Sequence, residues 1–229
     1  MSPPILWVPG HLCDARLYAP QLEALGGRVA EVTHADSIAE MASRLLAGAP
    51  ARFVVAGLSM GGMVAMETMA REPGRIAGAV LMDTDPCAAR ERERAWRARE
   101  MAGLRAEGPE GYVSRFTAKF FAHDAGAEAL FGPKVRAMAA AMPAEVIEAQ
   151  ARALDAREDM LERIAGFGAP VEVIVGEADR VCPPRLHWPI AAACRDALLT
   201  HIPDCGHIAT LEAPVEIEER VAALLARLA

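Results

Sequence analysis

The sequence has no surplus of basic residues: 24 lysines and arginines stand against 31 aspartates and glutamates, for a net charge of −7 over 229 residues with histidine neutral. Electrostatic binding to nucleic acid or an anionic membrane needs a basic patch, and none is visible, so neither partner is expected. Cysteine is sparse and odd in number. The five residues Cys13, Cys87, Cys182, Cys194 and Cys205 fit neither a disulfide framework nor a C-x-x-C metal site, and read as free thiols of a cytoplasmic protein. The six histidines show no H-x-x-x-H or H-E-x-x-H spacing, so no metal is expected. No apolar run is long enough to span a bilayer, and Met1-Ser2-Pro3-Pro4 leads into a strand-like stretch without the basic and apolar regions of an export signal. These absences point to a soluble, unexported protein. Hydrophobic residues, at 53%, suffice for the core of one catalytic domain.

What is present is organised around residues 53–65. The β-branched and apolar run Phe53-Val54-Val55-Ala56 reads as a buried strand, and Met60 onward reads as a helix. Between them lies Gly57-Leu58-Ser59-Met60-Gly61, a G-x-S-x-G turn in which a serine hydroxyl sits at the start of a helix. There the helix dipole favours negative charge, and the Met60 backbone N–H can face the atom that Ser59 attacks. The plainer reading of the pattern alone is a Gly-Ser turn in a structural or nucleotide-binding βα unit.

A serine needs a base and a group to orient that base. Val171 to Asp179 reads as a strand running into a turn with an acid at its end, and Asp204-Cys205-Gly206-His207 is a later turn near the C-terminus. Ser59, Asp179 and His207 are thus ordered along the chain as a hydrolase triad would be on this type of turn. With Pro9-Gly10-His11-Leu12-Cys13-Asp14, Gly57 to Gly62, Gly176 to Pro183 and Gly206-His207-Ile208 in place, the chain resembles the α/β-hydrolase family over nearly its whole length. The elbow and its helix look like those of small esterases and enol-lactonases. The resemblance implies a mostly parallel, doubly wound sheet of about six strands in residues 1–86 and 168–229, interrupted at 87–167 by a helical cap. It also implies that His11 supplies the second oxyanion-hole N–H beside Met60, since Pro9-Gly10 stands where the family has a His-Gly pair. The His11 imidazole is expected to pack or shape the pocket, with a second base as the alternative.

In chain order, helices are expected at Leu17 to Leu25, Ile38 to Leu46 and Met60 to Glu72, with strands at Ile5 to Val8, Arg28 to Val32 and Ala77 to Asp83. Ser37 and Glu40 have the spacing of a capping box. Asp83 and Asp85 end a strand and are the alternatives to Asp179 as acid. The segment from Arg90 to Glu100 predicts a solvated helix carrying i,i+4 pairs such as Glu93 with Arg97. Further helices are expected at Pro109 to Phe121, Lys134 to Met142 and Ala144 to Leu154, and after the strand Ala197 to Ile202 at Val215 to Leu228. Aromatic residues are only 5% of the chain, so Phe116, Phe120 and Phe121 stand out. With Met138, and with Leu12, Val181 and Ile208 from the motif loops, they are the candidate substrate pocket, although cap residues at helical spacing are more often simply core. Arg180 could pair with a carboxylate of protein or substrate.

The function expected is a serine hydrolase that cleaves a small or medium carboxylic ester or lactone through an acyl-enzyme, with no cofactor. Alternatives are a C–C bond hydrolase, lyase or perhydrolase using the same triad, and, from another class, a hydrolase-like ligand-binding protein.

Overall fold

A computed structural model describes residues 2–32, 34–121 and 124–228. Met1, Thr33, Ala122, His123 and Ala229, which fall within the expected core and cap spans, lie outside the described residues. The elements run in the order β1 (Ile5–Val8), α1 (Ala19–Leu25), β2 (Arg28–Val29), α2 (Ile38–Gly48), β3 (Phe53–Leu58), α3 (Met60–Arg71), β4 (Ile76–Met82), α4 (Glu91–Glu107), α5 (Pro109–Thr117), α6 (Ala125–Ala140), α7 (Ala144–Asp155), β5 (Val171–Gly176), α8 (His187–Ala193), β6 (Ala197–Ile202), α9 (Ala209–Glu212) and α10 (Pro214–Ala226).

Six strands form one parallel sheet in the order β2-β1-β3-β4-β5-β6. Strands β1, β3, β4 and β5 are buried along their whole length, as apolar runs between helices require. Alternate side chains of β1 serve two cores. Trp7 joins Leu17, Tyr18, Leu58 and Leu224 on one face, while Leu6 and Val8 join Met41, Val55, Met66 and Ile190 on the other. The strand order reverses direction between β1 and β3, so a crevice opens at their carboxyl ends, where ligands of doubly wound sheets bind. Tyr18 fills the gap below that crevice. Its hydroxyl donates to the Val8 carbonyl (2.7 Å) and accepts the Leu58 N–H (3.0 Å).

Several local expectations are corrected. Strand β2 stops at Val29, because it is an edge strand paired only with Leu6 and Trp7 of β1. Ser37 does cap α2 by accepting the Glu40 N–H (3.2 Å), but the Glu40 carboxylate turns to Arg44 (2.6 Å), so the box is half formed. Helix α6 begins at Ala125, nine residues before the expected start, because Asp124 caps it through the N–H groups of Gly126 (2.8 Å) and Ala127 (3.2 Å), and Pro133 is carried inside. Helix α4 is not simply solvated: Arg97, Met101 and Leu104 face inward. Helices α8 and α9 are too short for their periodicity to be visible in the sequence.

The tightest contact is where α3 leaves the elbow. A Cβ at Gly61 would lie 1.9 Å from the Val8 carbonyl oxygen, and one at Gly57 would lie 2.2 Å from the Gly61 oxygen. Backbone on both sides leaves neither room to yield. Gly61→Ala is therefore expected to destabilise the protein by about 3 kcal/mol or more. Gly74→Ala, where a Cβ meets nothing within 4 Å, is expected to change stability by less than about 0.5 kcal/mol. Equilibrium unfolding in urea compares the two directly.

Candidate active site

Ser59 caps α3 with φ 56° and ψ −117°, a backbone conformation that costs a residue with a side chain roughly 1–3 kcal/mol. Neighbouring groups hold it there. Its N–H donates to Met82 O (2.9 Å), and its own carbonyl accepts from Gly62 N (2.9 Å) and from the Thr84 hydroxyl (2.7 Å). The side chain is thereby pushed out above the end of β3.

Three loops converge on it. His207 Nε2 lies 3.0 Å from Ser59 Oγ, and His207 Nδ1 lies 2.8 Å from Asp179 Oδ2. The other Asp179 oxygen accepts the N–H groups of Val181 (2.7 Å) and Cys182 (3.0 Å). Burial works to raise the Asp179 carboxyl, but adjacent His207 and the two backbone donors outweigh it and hold the group below the usual carboxylate range. Of the three acids weighed from sequence, His207 meets Asp179. Asp83 is buried instead against β5, accepting the Gly176 N–H (2.9 Å), and burial together with the nearby Asp179 charge raises its carboxyl well above the ordinary value. Asp85 is paired with Arg90 (3.0 Å) and Arg157 (3.3 Å).

The loop carrying His207 is braced by a residue the sequence reading passed over. Glu212, on α9, accepts the Gly206 N–H through Oε2 (3.0 Å) and the Ile208 N–H through Oε1 (2.9 Å). An acid five residues beyond His207 was the available signal.

The loop after β1 is pinned by the helical insert. His11 is buried, with Nδ1 2.7 Å from Gln150 Oε1 and Nε2 2.7 Å from the Tyr112 hydroxyl. An amide oxygen can only accept, so Nδ1 carries the proton and Nε2 accepts from Tyr112. Gln150 Oε1 also accepts the Leu12 N–H (3.2 Å), holding Leu12 at φ 63°. The insert reaches His207 as well: the His207 N–H donates to Phe120 O (3.3 Å), and the two rings are 5.0 Å apart.

A cavity of about 320 Å³ opens above Ser59, bordered by His11, Met63, Trp96, Phe116 and Val181 and by several charged side chains. Of the expected pocket residues, Phe116 and Val181 border it. Leu12, Phe120, Phe121, Met138 and Ile208 do not; they are packed into the buried core, where the insert seals against the sheet. Trp96 and Arg97 of α4, and Lys119 and Arg157 from the segments after α5 and α7, border it and were missed, because which side chains of a charge-rich segment turn inward is set by packing, not composition. A second cavity, of about 350 Å³, lies between α2, α3 and residues 156–163, and its acids are paired: Glu67 with Arg71 and Arg163, Asp85 with Arg157 and Glu158 with Arg163. Asp179, Cys182 and His207 bring potential metal-ligand atoms within 4.8 Å of one another. Asp179 and His207 are already hydrogen-bonded together, and burial pushes the Cys182 thiol well above its usual value, away from the thiolate that binds metal.

A sequence model of the alpha/beta hydrolase family matches residues 4–220. The chain belongs to the alpha/beta hydrolase family. This alpha/beta hydrolase is 29% identical over 216 residues, covering 87% of its own chain and 83% of the relative, to a pimeloyl-[acyl-carrier protein] methyl ester esterase of Aromatoleum aromaticum. Its fold matches a thermophilic esterase from Thermogutta terrifontis with a TM-score of 0.89 at 24% identity, covering 100% of this chain and 91% of that one. It matches the enol-lactonase of Burkholderia xenovorans LB400 with a TM-score of 0.86 at 22% identity, covering 99% and 92%. No described helix is long and apolar enough to cross a membrane.

Two histidines flanking the alpha/beta hydrolase site are held neutral. Burial pushes His11 down to about 4, with Arg97 adding to the effect, and burial pushes His187 down to about 4. His187 Nε2 accepts the Thr84 N–H (2.8 Å), and so supports the residue that holds the Ser59 carbonyl. A histidine with a lowered folded-state value stabilises the fold fully above about pH 6.5, and that stability is lost as pH falls toward 4 while the unfolded chain takes up protons. Between pH 7 and pH 5 each is expected to remove ~2 kcal/mol. His187→Gln should therefore show a smaller loss over that interval in urea unfolding; an unchanged pH dependence would contradict the assignment.

Proposed function

We propose that the protein is a serine hydrolase of small or medium carboxylic esters or lactones, with Ser59, His207 and Asp179 as its triad. The observation carrying this reading is the continuous chain of contacts from Asp179 Oδ2 through His207 to Ser59 Oγ, at 2.8 and 3.0 Å, beneath an open cavity. The names of the similar proteins, a methyl ester esterase, an esterase and an enol-lactonase, support the same reaction class.

In this reading His207 Nε2 takes the Ser59 proton as Oγ attacks the substrate carbonyl. Asp179 keeps the proton on Nδ1 and stabilises the imidazolium. The oxyanion is received by the N–H of Met60, which as the first residue of α3 has no intrahelical acceptor, and by that of His11. His207 then returns the proton to the leaving alcohol, an acyl group remains on Ser59, and water activated by the same imidazole frees the acid. The residues from 87 to 167 serve as a cap whose Tyr112, Gln150 and Phe120 hold the oxyanion and histidine loops in place. The unpaired thiols at all five cysteines support a reducing, cytoplasmic setting.

Ser59→Ala is expected to lower the hydrolysis of short p-nitrophenyl esters by about 10³ or more. A phosphonate inhibitor should add to Ser59 in the unmodified protein, and mass spectrometry locating no adduct there would remove the nucleophile. Gln150→Leu deletes the acceptor shared by His11 Nδ1 and the Leu12 N–H, and is expected to cut kcat about tenfold with a smaller change in KM, because a donor that binds only the oxyanion is misplaced. Steady-state kinetics on one ester separates the two effects.

A further inference from the structure

The triad accounts for Ser59, His207 and Asp179, and leaves unexplained the charge on the cavity wall. In a chain of net charge −7, five side chains bordering this cavity are cationic, namely Arg92, Arg97, Lys119, Arg157 and Arg180, against the two carboxylates of Asp85 and Glu93. Both carboxylates are engaged. Asp85 meets Arg90 and Arg157, and Glu93 meets Arg90 (2.6 Å) and Arg157 (2.6 Å). Arg157 is thus neutralised within the protein and Arg97 is paired with Asp155, which leaves Lys119, Arg92 and Arg180 as the bordering cations without an ion pair among the described residues.

Arg97 is the informative member. Its side chain is only 8% exposed, and Nε donates to Asp155 Oδ1 (2.5 Å). Its Nη2 is buried with no hydrogen-bond partner among the described residues, Glu93 Oε2 lying 3.9 Å away, beyond reach. A buried guanidinium N–H left without an acceptor is costly, and such groups are normally satisfied. Lys119, unlike Arg97, forms no ion pair among the described residues. Its Nζ stands 3.3 Å from the centre of the Trp96 ring, held by the aromatic face at the cavity wall. Arg92 and Arg180 are exposed, border the same cavity and form no ion pair among the described residues.

We propose that this wall is a carboxylate subsite: the ester or lactone that reaches Ser59 carries a second, ionised carboxylate, received by the Arg97 guanidinium and Lys119 Nζ and drawn in by Arg92 and Arg180. The subsite rests on the reading of Ser59 as the nucleophile beneath the same cavity. A carboxylate suits it because a guanidinium edge and an ammonium supply charge-assisted donors. It also gives the enzyme a basis for choosing among esters that an apolar wall lacks, since apolar contacts discriminate weakly between similar chains.

The test compares methyl hydrogen glutarate and methyl hydrogen adipate with neutral methyl esters of matched length, by methanol release. The charged esters are expected to have a kcat/KM at least tenfold higher, carried by KM, with the advantage shrinking in 0.5 M NaCl. Lys119→Met and Arg97→Gln should raise KM for the charged esters at least fivefold more than for the neutral ones. Arg97→Gln also removes the bond to Asp155, so Lys119→Met, at an exposed position, keeps the test open if the former misfolds. Equal rates for charged and neutral esters, or a variant that slows both alike, would overturn the subsite.

Calorimetric titration of glutarate into Ser59→Ala reads the subsite without catalysis. Glutarate binding that weakens in Ser59→Ala/Lys119→Met supports the subsite even where no methyl ester is cleaved, an outcome that would count against the hydrolase reading alone. Cleavage of neutral esters with no glutarate binding sinks the subsite and spares the hydrolase. Tighter binding of inorganic phosphate than of glutarate would assign the wall to a phosphoryl group and overturn the carboxylate.

Discussion

The site depends on the closeness with which the start of α3 packs against the end of β1. With the Gly61 Cα against the Val8 carbonyl there is no space for even a methyl group, and that contact forces the chain to turn sharply between Leu58 and Met60. The sharp turn places Ser59 in its unfavourable backbone conformation and projects the hydroxyl above the sheet. Met82, Gly62 and Thr84 then hold the turn through hydrogen bonds. The strain is local, and the surrounding strands are buried enough to sustain it.

Around that turn the structure sorts its ionisable groups. Asp83 and Asp179 follow neighbouring strands β4 and β5, and two ionised carboxyls in that buried space would repel each other. Asp83 is pushed toward its neutral form by burial and by Asp179, whereas Asp179 is kept ionised by His207 and two backbone donors. His11 and His187 are buried and neutral, which leaves His207 as the imidazole beside Ser59. Five cationic side chains and two carboxylates border the cavity that Ser59 also borders, in a molecule that is acidic overall.

The insert between β4 and β5 does more than cover the sheet. Gln150 and Tyr112 hold the His11-Leu12 loop, and the Phe120 carbonyl holds the backbone of His207. The same insert therefore contacts both loops that border the proposed catalytic groups.

The sequence by itself determined the parallel sheet, the elbow and the order of Ser59, Asp179 and His207, because these are written in local signals: apolar runs of strand length, a glycine-flanked serine between strand and helix, and acid and histidine in turns. It did not determine which phenylalanines face the cavity, where α6 begins or what His11 touches. Phe116, Phe120 and Phe121 all join the buried core, but of the three Phe116 alone also borders the cavity, though they lie within six residues of one another. Likewise Arg97 reads as one more charge on a solvated helix until packing turns it inward, where Nη2 has no acceptor among the described residues and the side chain borders the cavity. Local propensity cannot specify such things, because the direction in which a helix faces is decided by the long-range packing of the elements it meets.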